Sequence, residues 1–298
     1  MLMVLPFAAA GIVLETRWWA VNEPRVAIWT VGLSLLFALV AWKTRSATPA
    51  AAIVGAAITA SLMFSTTTVP YQPWRTALVP VLMLLLLTSL ATRMGCGGPD
   101  RGGPDRRGKE RLGTAELRQG RVASQVAANL GIAALVSNDL VQSWLLDKTL
   151  LSHLATLAPT LLFAIGLAAL AEAAADTVSS EVGQVLSLLQ GSRPRMITTL
   201  RTVEPGTDGA LSLKGTLAGV AAAAIVAGAG AWALQGGREM FWIAAAGGVF
   251  GLFFDSLLGA TLERRSWLNN DAVNFLSTAS AAAFALAMLA VLLHSGLR

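Results

Sequence analysis

The chain has 298 residues, of which 55% are hydrophobic and only 13% are charged, and its formal net charge is +5. Because soluble domains are about 25% charged, this composition excludes an ordinary soluble domain and predicts an all-α fold, a polytopic bundle of transmembrane helices. Cys96 is the single cysteine, which excludes an intrachain disulfide. The basic residues are typical of loops beside anionic lipid headgroups. Since the chain has no nucleic-acid-binding motif, we expect no nucleic-acid partner.

Nine apolar segments are predicted to be helical spans, most of them close to the ~20 residues needed to cross the hydrocarbon of a bilayer. The first is short, and it is predicted to be a membrane span rather than a cleaved signal peptide because no basic leader precedes it. Eight spans with one interfacial helix fit the sequence nearly as well. The nine predicted spans cover about 1–14, 26–42, 48–66, 76–92, 122–145, 152–175, 212–234, 240–262 and 271–294.

Residues 93–121 form the clearest predicted loop. Its two Gly-Gly-Pro-Asp repeats are typical of turns, and its eight basic residues predict a cytoplasmic location by the positive-inside rule. Alternation of the spans then places the loops 43–47, 176–211 and 263–270 at the cytoplasmic side as well. Three regions are predicted: 1–92, membrane spans that act as a scaffold; 93–121, the basic cytoplasmic loop; and 122–298, membrane spans that carry a catalytic site.

Carboxylates beside or within the later spans are the strongest sign of function. An ionised side chain at a helix centre costs roughly 2.5–3.5 kcal/mol on insertion scales, so it needs a partner, a proton or a metal. Asp255 lies among phenylalanines and leucines of the eighth span, Asp176 follows the sixth span one turn after Glu172, and Asp271 opens the last span. Such oxygen ligands suit Mg²⁺, so we expect Asp176, Asp255 and Asp271 to share one magnesium ion. A structural salt bridge at Asp255 and polar helix ends at the other two aspartates are the alternatives.

A glycine-containing loop before the seventh span supplies a second set of polar groups. Gly206 and Thr207 lie in its turn, and Lys214 lies in the first turn of the following helix, an arrangement that can bind an anion. An ordinary hairpin loop between spans is the alternative, since the P-loop spacing is absent. Lys214 is predicted to act beside the three aspartates. The predicted substrate- and nucleotide-binding residues are Arg195, Thr198, Thr199, Gly206, Thr207, Asn270, Asn274, Arg264 and Glu181.

Six short polar strings, at 176–181, 197–199, 206–207, 215–216, 255–260 and 268–271, carry a family resemblance. They resemble integral membrane proteins of bacteria, archaea, plants and animals whose plant members are phytyl-phosphate kinases. That family is similar to the group containing CDP-diacylglycerol synthases and dolichol kinases. The resemblance covers about residues 76–290 and implies nucleotide-dependent phosphorylation of a phytyl or polyprenyl monophosphate, with CTP as the favoured donor and Mg²⁺ required. One departure is the Gly/Pro/Asp insert at 97–105, where the family pattern has a lysine-rich turn.

The resulting prediction is a kinase that converts an isoprenyl monophosphate to the diphosphate at the cytoplasmic face of the inner membrane. Arg195, Lys214 and Arg264 would neutralise phosphate oxygens, and no strong base is needed because the acceptor phosphate is already an anionic nucleophile. The expected partners are CTP or another nucleoside triphosphate, an isoprenyl phosphate lipid and the membrane, and a homodimer is left open. A cytidylyltransferase that makes a CDP-lipid and a transporter with a polar site between spans are the alternatives.

Overall fold

A computed structural model describes residues 4–96, 120–139, 141–142, 159–190 and 193–296, and most of these residues are helical. The α-helices bounded within these ranges are α1 (Val4–Asn22), α2 (Pro24–Lys43), α3 (Pro49–Ser65), α4 (Leu78–Cys96), α5 (Ala123–Ser137), α6 (Phe163–Gln190), α7 (Leu213–Ala233), α8 (Gly237–Leu258) and α9 (Asn270–Gly296). Short 3₁₀ turns cover Pro73–Arg75 and Pro159–Leu162, a π-helical turn (Gly259–Glu263) extends α8, and a hairpin pairs β1 (Arg195–Met196) with β2 (Ala210–Leu211).

The all-α, polytopic membrane fold is confirmed. Helices α2, α6, α7, α8 with its π turn, and α9 are long and apolar enough to cross a membrane, and the shorter α3, α4 and α5 are also apolar. Each of the nine predicted spans corresponds to one of the nine helices bounded in the described ranges. The predicted division into a scaffold and a catalytic half stays a prediction.

The ends of three helices differ from the prediction. Helix α1 continues to Asn22, beyond the predicted end at residue 14, whereas α5 ends at Ser137, before the predicted end at residue 145. Helix α6 runs to Gln190, although the polar residues after 175 predict a loop. Thr177 is compatible with a helix because its hydroxyl donates to the carbonyl of Ala173 at 3.1 Å.

Helix α6 is the centre of the bundle, and it packs against α4, α5, α7, α8 and α9. Small residues permit these close contacts. A Cβ on Gly219 of α7 would lie 2.7 Å from the carbonyl oxygen of Ala175, and a Cβ on Gly248 of α8 would lie 2.8 Å from the Cβ of Ala171. The abundance of glycine and alanine therefore has a packing role that is typical of helices within membranes.

Contacts between loops agree with the predicted alternation of sides. Arg121 forms a parallel bridge with Ala47, and its N–H donates to the carbonyl of Ser46 at 3.0 Å, so two segments predicted to be cytoplasmic lie together. At the other ends of the helices, Arg75 lies on a loop predicted to be outside. Its Nη1 donates to the carbonyl of Trp232, in the last turn of α7, at 2.8 Å, and its guanidinium lies 5.0 Å from the indole centroid. Which of the two ends faces the cytoplasm stays a prediction.

Candidate active site

Three carboxyl side chains, which we call the acid cluster, meet between α6 and α8. They are Glu172 and Asp176 of α6 and Asp255 of α8. Asp176 and Asp255 lie within hydrogen-bonding reach of each other, and Glu172 lies near enough to interact electrostatically with each of them. Glu172 is only 1% exposed, and among the described residues its Oε1 has no hydrogen-bond partner, nor has the buried Oδ1 of Asp255. A buried polar atom left unpaired costs about 1–3 kcal/mol, so the cluster marks a functional site more readily than a structural one.

Helix α9 adds a hydroxyl group to the acid cluster. The side chain of Ser277 lies close to both Glu172 and Asp255, and its Oγ donates to the backbone carbonyl of Asn274 at 3.0 Å. On α6, Ser180 is close to Asp176, one turn further along the same face. Three helices thus surround the carboxylates with oxygen atoms.

A glycine on α8 brings the acid cluster together. Gly251 lies one turn before Asp255, and a Cβ at this position would overlap the Cγ of Glu172 and lie 2.9 Å from the Cβ of Ala281. A larger residue would force α8 away from α6. Because residues four apart share a helical face, the close approach at Gly251 also places Asp255 against α6.

A half-buried cation, Arg121, lies beside the acid cluster. Its Nη2 donates to the hydroxyl of Thr177 at 3.3 Å. Burial lowers the pKa of Arg121, and the nearby carboxylates of Glu181 and Asp176 act against that shift. Because the ordinary pKa of arginine is so high, the guanidinium stays charged. Glu181 in turn lies within hydrogen-bonding reach of Thr92 of α4.

The β1–β2 hairpin packs on the π turn that follows Asp255. Gly209, before β2, has a left-handed φ of 74°, and a Cβ there would lie 2.6 Å from the Cα of Ala260. The side chain of Arg264, after the π turn, lies 3.8 Å from the sulfur of Met196 in β1. The hairpin therefore rests against the end of the helix that carries Asp255.

Most of the predicted phosphate-binding residues lie on the surface. The Nζ of Lys214 donates to the side-chain oxygen of Gln190 rather than to a member of the acid cluster. Thr207 is half-buried, and its hydroxyl donates to the carbonyl of Glu204 at 2.7 Å. Asn274 is half-buried one turn before Ser277. The predicted residues that are exposed are Arg195, Thr198, Thr199, Gly206, Lys214, Arg264 and Asn270.

The structure brings together two of the three predicted metal ligands. Asp271 lies half-buried in the first turn of α9, and no contact between it and Asp176 or Asp255 is described. Within the described ranges, no three His, Cys, Asp or Glu side chains are arranged to hold a metal ion. The magnesium site stays a prediction, and the pair of carboxylates suits it, because Mg²⁺ is usually held by one or two carboxylates together with substrate phosphates.

Glu172 and Arg121 belong to this region, although neither was among the predicted site residues. Glu172 lies one turn before Asp176 in a run of alanines, where an acid is costly, so its position was a usable signal. Arg121 is one of eight basic residues in the segment 93–121, whose charge predicts topology rather than a site. Its proximity to α6 arises from tertiary packing, which the local sequence does not show.

Residues 32–282, most of the chain, match the integral membrane protein family DUF92. The chain belongs to this family. The match confirms the resemblance to an integral membrane family that the polar strings carry.

Curated relatives in the family come from an archaeon, a cyanobacterium and a plant. An uncharacterized membrane protein of Methanocaldococcus jannaschii is 43% identical over 112 residues, which are 38% of this chain and 45% of that protein. An uncharacterized membrane protein of Synechocystis is 40% identical over 37% of this chain and 42% of its own length. Protein VTE6, chloroplastic, of Arabidopsis thaliana is 34% identical over 34% of this chain and 30% of its own length. The chain therefore matches less than half of the length of each of these relatives, and no solved structure matches it.

Proposed function

We propose that this member of DUF92 is a membrane lipid-phosphate kinase. In the proposed reaction a phosphate oxygen of phytyl or polyprenyl monophosphate attacks the γ-phosphorus of CTP. The bond from the γ-phosphorus to the bridging oxygen breaks, CDP leaves, and the lipid diphosphate forms. The family resemblance supports a nucleotide-dependent kinase of this kind. The structural observation that carries the proposal is the half-buried pair of carboxylates, Asp176 and Asp255, which lie within hydrogen-bonding reach of each other between α6 and α8.

The acid cluster is the proposed place for Mg²⁺. Asp176 and Asp255 would hold it, with Asp271 as a further ligand through a water molecule. The unpaired, buried Oδ1 of Asp255 is an oxygen donor of the kind that this ion prefers. Bound Mg²⁺ would neutralise charge on the phosphate oxygens during transfer.

The chain's other polar groups would bind and orient the two substrates. Lys214 at the start of α7, Arg195 in β1 and Arg264 after the π turn would neutralise phosphate oxygens. Positioning and charge neutralisation lower the barrier, since the acceptor phosphate needs no base to become a nucleophile. The groups proposed to orient the phosphates are Thr198, Thr199, Gly206, Thr207, Asn270, Asn274 and Glu181.

The proposed location is the cytoplasmic side of the inner membrane. Exposed apolar side chains such as Leu82, Leu86 and Leu90 form a stripe along α4, and Thr92, close to Glu181, lies further along the same helix. The prenyl chain would lie among lipid-facing side chains of this kind while its phosphate reaches the acid cluster. CTP would enter from the cytoplasm.

Phosphate transfer from γ-labelled CTP to phytyl phosphate in detergent tests this function. We expect wild-type protein to form labelled lipid diphosphate in a Mg²⁺-dependent reaction. Asp255→Asn should lower kcat/KM by about 100-fold or more, because a group that contacts the reacting phosphates contributes several kcal/mol. Glu239→Gln is the matched control, since Glu239 is an exposed acid at the opposite end of α8. Full activity of Asp255→Asn would contradict the proposed role of the acid cluster.

The products of the same assay separate the kinase from a cytidylyltransferase. A CDP-lipid synthase would use the same donor and the same kind of acid pair, but it would release pyrophosphate and transfer label only from the α-position. CDP release with labelled lipid diphosphate supports the kinase. Pyrophosphate release with a CDP-lipid product would reject the kinase and support the cytidylyltransferase.

A further inference from the structure

The segment that carries Arg121 is fixed to the loop between α2 and α3. Gly120 has a left-handed φ of 79°, and a Cβ there would lie 2.6 Å from the backbone nitrogen of Ala47. The N–H of Arg121 donates to the carbonyl of Ser46 at 3.0 Å, and its carbonyl accepts from the N–H of Thr48 at 3.0 Å. Because the backbone N–H and carbonyl of Arg121 are both hydrogen-bonded, the position of its Cα is fixed relative to the α2–α3 loop.

The side chain of Arg121 extends to α6. A guanidinium has five N–H donors, and among the residues that the structure describes it makes one hydrogen bond, to Thr177. Asp176 and Glu181 lie near enough for their charges to act on it. The donors that bind no described residue lie beside the acid cluster, where they suit a ligand that carries negatively charged oxygens.

We propose that Arg121 is a substrate-binding residue that donates hydrogen bonds to phosphate oxygens held beside Asp176. This inference rests on the proposed function and names a cation that the sequence did not single out. The planar fork of arginine suits phosphate because it can donate two parallel hydrogen bonds. A lysine in the same place would offer only a point charge.

Charge balance favours Arg121 over the cations predicted from the sequence. The carboxylates of this region repel a phosphate unless cations offset them. The described contacts place Arg121 beside Asp176 and Glu181, whereas Lys214 is bound to Gln190 and Arg264 lies against Met196. Arg121 would therefore bind the phosphate nearest to the acid cluster, and the exposed cations would bind the parts of the substrates further out.

The alternative role for Arg121 is that of a structural counter-ion to the carboxylates of α6, and this role predicts a different result. If Arg121 only balanced the charge of α6, its loss would lower the stability of the protein and leave the affinity for phosphates unchanged. The test therefore measures both quantities. It uses detergent-purified full-length protein, with Arg121→Gln, Arg121→Lys and the control Arg238→Gln, because Arg238 is an exposed arginine at the start of α8.

Inorganic pyrophosphate and CTP are the binding probes, titrated by calorimetry, and KM is measured for CTP and for phytyl phosphate separately. We expect Arg121→Gln to weaken pyrophosphate binding about 10–100-fold, the effect of losing hydrogen bonds between charged groups. Arg121→Lys should restore part of the affinity. Arg238→Gln should bind like wild type, and the Tm of Arg121→Gln should stay near that of the control.

Each outcome decides the inference. A raised KM for CTP assigns Arg121 to the donor, and a raised KM for phytyl phosphate assigns it to the acceptor. Unchanged affinities and KM values, or a lower Tm without a change in affinity, overturn the inference. If Arg121→Gln does not fold, a wild-type affinity of Arg121→Lys for pyrophosphate overturns the inference that Arg121 donates two parallel hydrogen bonds to phosphate. Wild-type protein that binds pyrophosphate through Arg121 but transfers no phosphate would leave the inference intact and reject the kinase.

Discussion

The acid cluster and the β1–β2 hairpin both carry polar residues, but those of the acid cluster are packed between helices, whereas those of the hairpin are mostly exposed. In the acid cluster Glu172 is buried, and α8 can approach it because Gly251 has no side chain. In the hairpin Thr198 and Thr199 are exposed, and their removal would leave no cavity. The comparison teaches that a polar group held by helix packing has a fixed position before any ligand binds, whereas a group on the hairpin acquires one only through its ligand.

The largest effect should come from the two paired carboxylates. We expect Asp176→Asn to lower kcat/KM for phosphate transfer by about 100-fold or more, as Asp255→Asn should. Because the two side chains are proposed to act as one unit, the double variant should lose little more than either single variant. Steady-state kinetics of the three variants check this expectation. Losses that multiply would show that the two carboxylates act independently.

Glycine at position 251 should matter more for stability than glycine at position 228, where the helices leave room for a Cβ. Gly251→Ala places a Cβ on the Cγ of Glu172 and should destabilise the protein by about 1–3 kcal/mol. Gly228→Ala is the matched control, since a Cβ there would lie 3.8 Å from the ring of Phe241, an ordinary contact. Thermal unfolding in detergent measures both. Equal Tm values would contradict the close approach of α8 to α6.

The low share of charged residues predicts the membrane fold, and a separate physical reason distinguishes Asp176 and Asp255. Ionisable groups in apolar helices are costly, so their presence is visible without a structure. The full length of α6 was not predictable from polarity alone, because Thr177 satisfies its hydroxyl within the helix. Arg121 lies among basic residues that determine topology, and only its packing against the α2–α3 loop shows that it reaches α6.

The position of Arg121 should depend on the residue before it. Gly120→Ala introduces a Cβ 2.6 Å from the backbone of Ala47 at a left-handed φ, which costs about 1–3 kcal/mol. We expect weaker pyrophosphate binding together with a lower Tm. Gly32→Ala is the control, because nothing lies within 4 Å of its added Cβ, and alanine in a helix should stabilise slightly. Wild-type pyrophosphate affinity in Gly120→Ala would contradict the expectation that the backbone contacts of Gly120 position Arg121 for binding.

The smallest effect should come from Lys214, and its dependence on salt distinguishes the exposed cations from Arg121. Lys214 is exposed at the start of α7, so a solvent-screened contact with a phosphate should contribute about 0.2–1 kcal/mol. We expect Lys214→Gln to raise the KM for CTP by about 2–5-fold at low ionic strength. At 1 M salt the Debye length falls to about 3 Å, so this difference should disappear. The effect of Arg121→Gln should persist under the same conditions, because a half-buried hydrogen-bonded contact is screened much less. Kinetics of both variants across a salt series check the contrast, and a parallel decline of the two effects would mean that Arg121 also acts from a solvent-screened position.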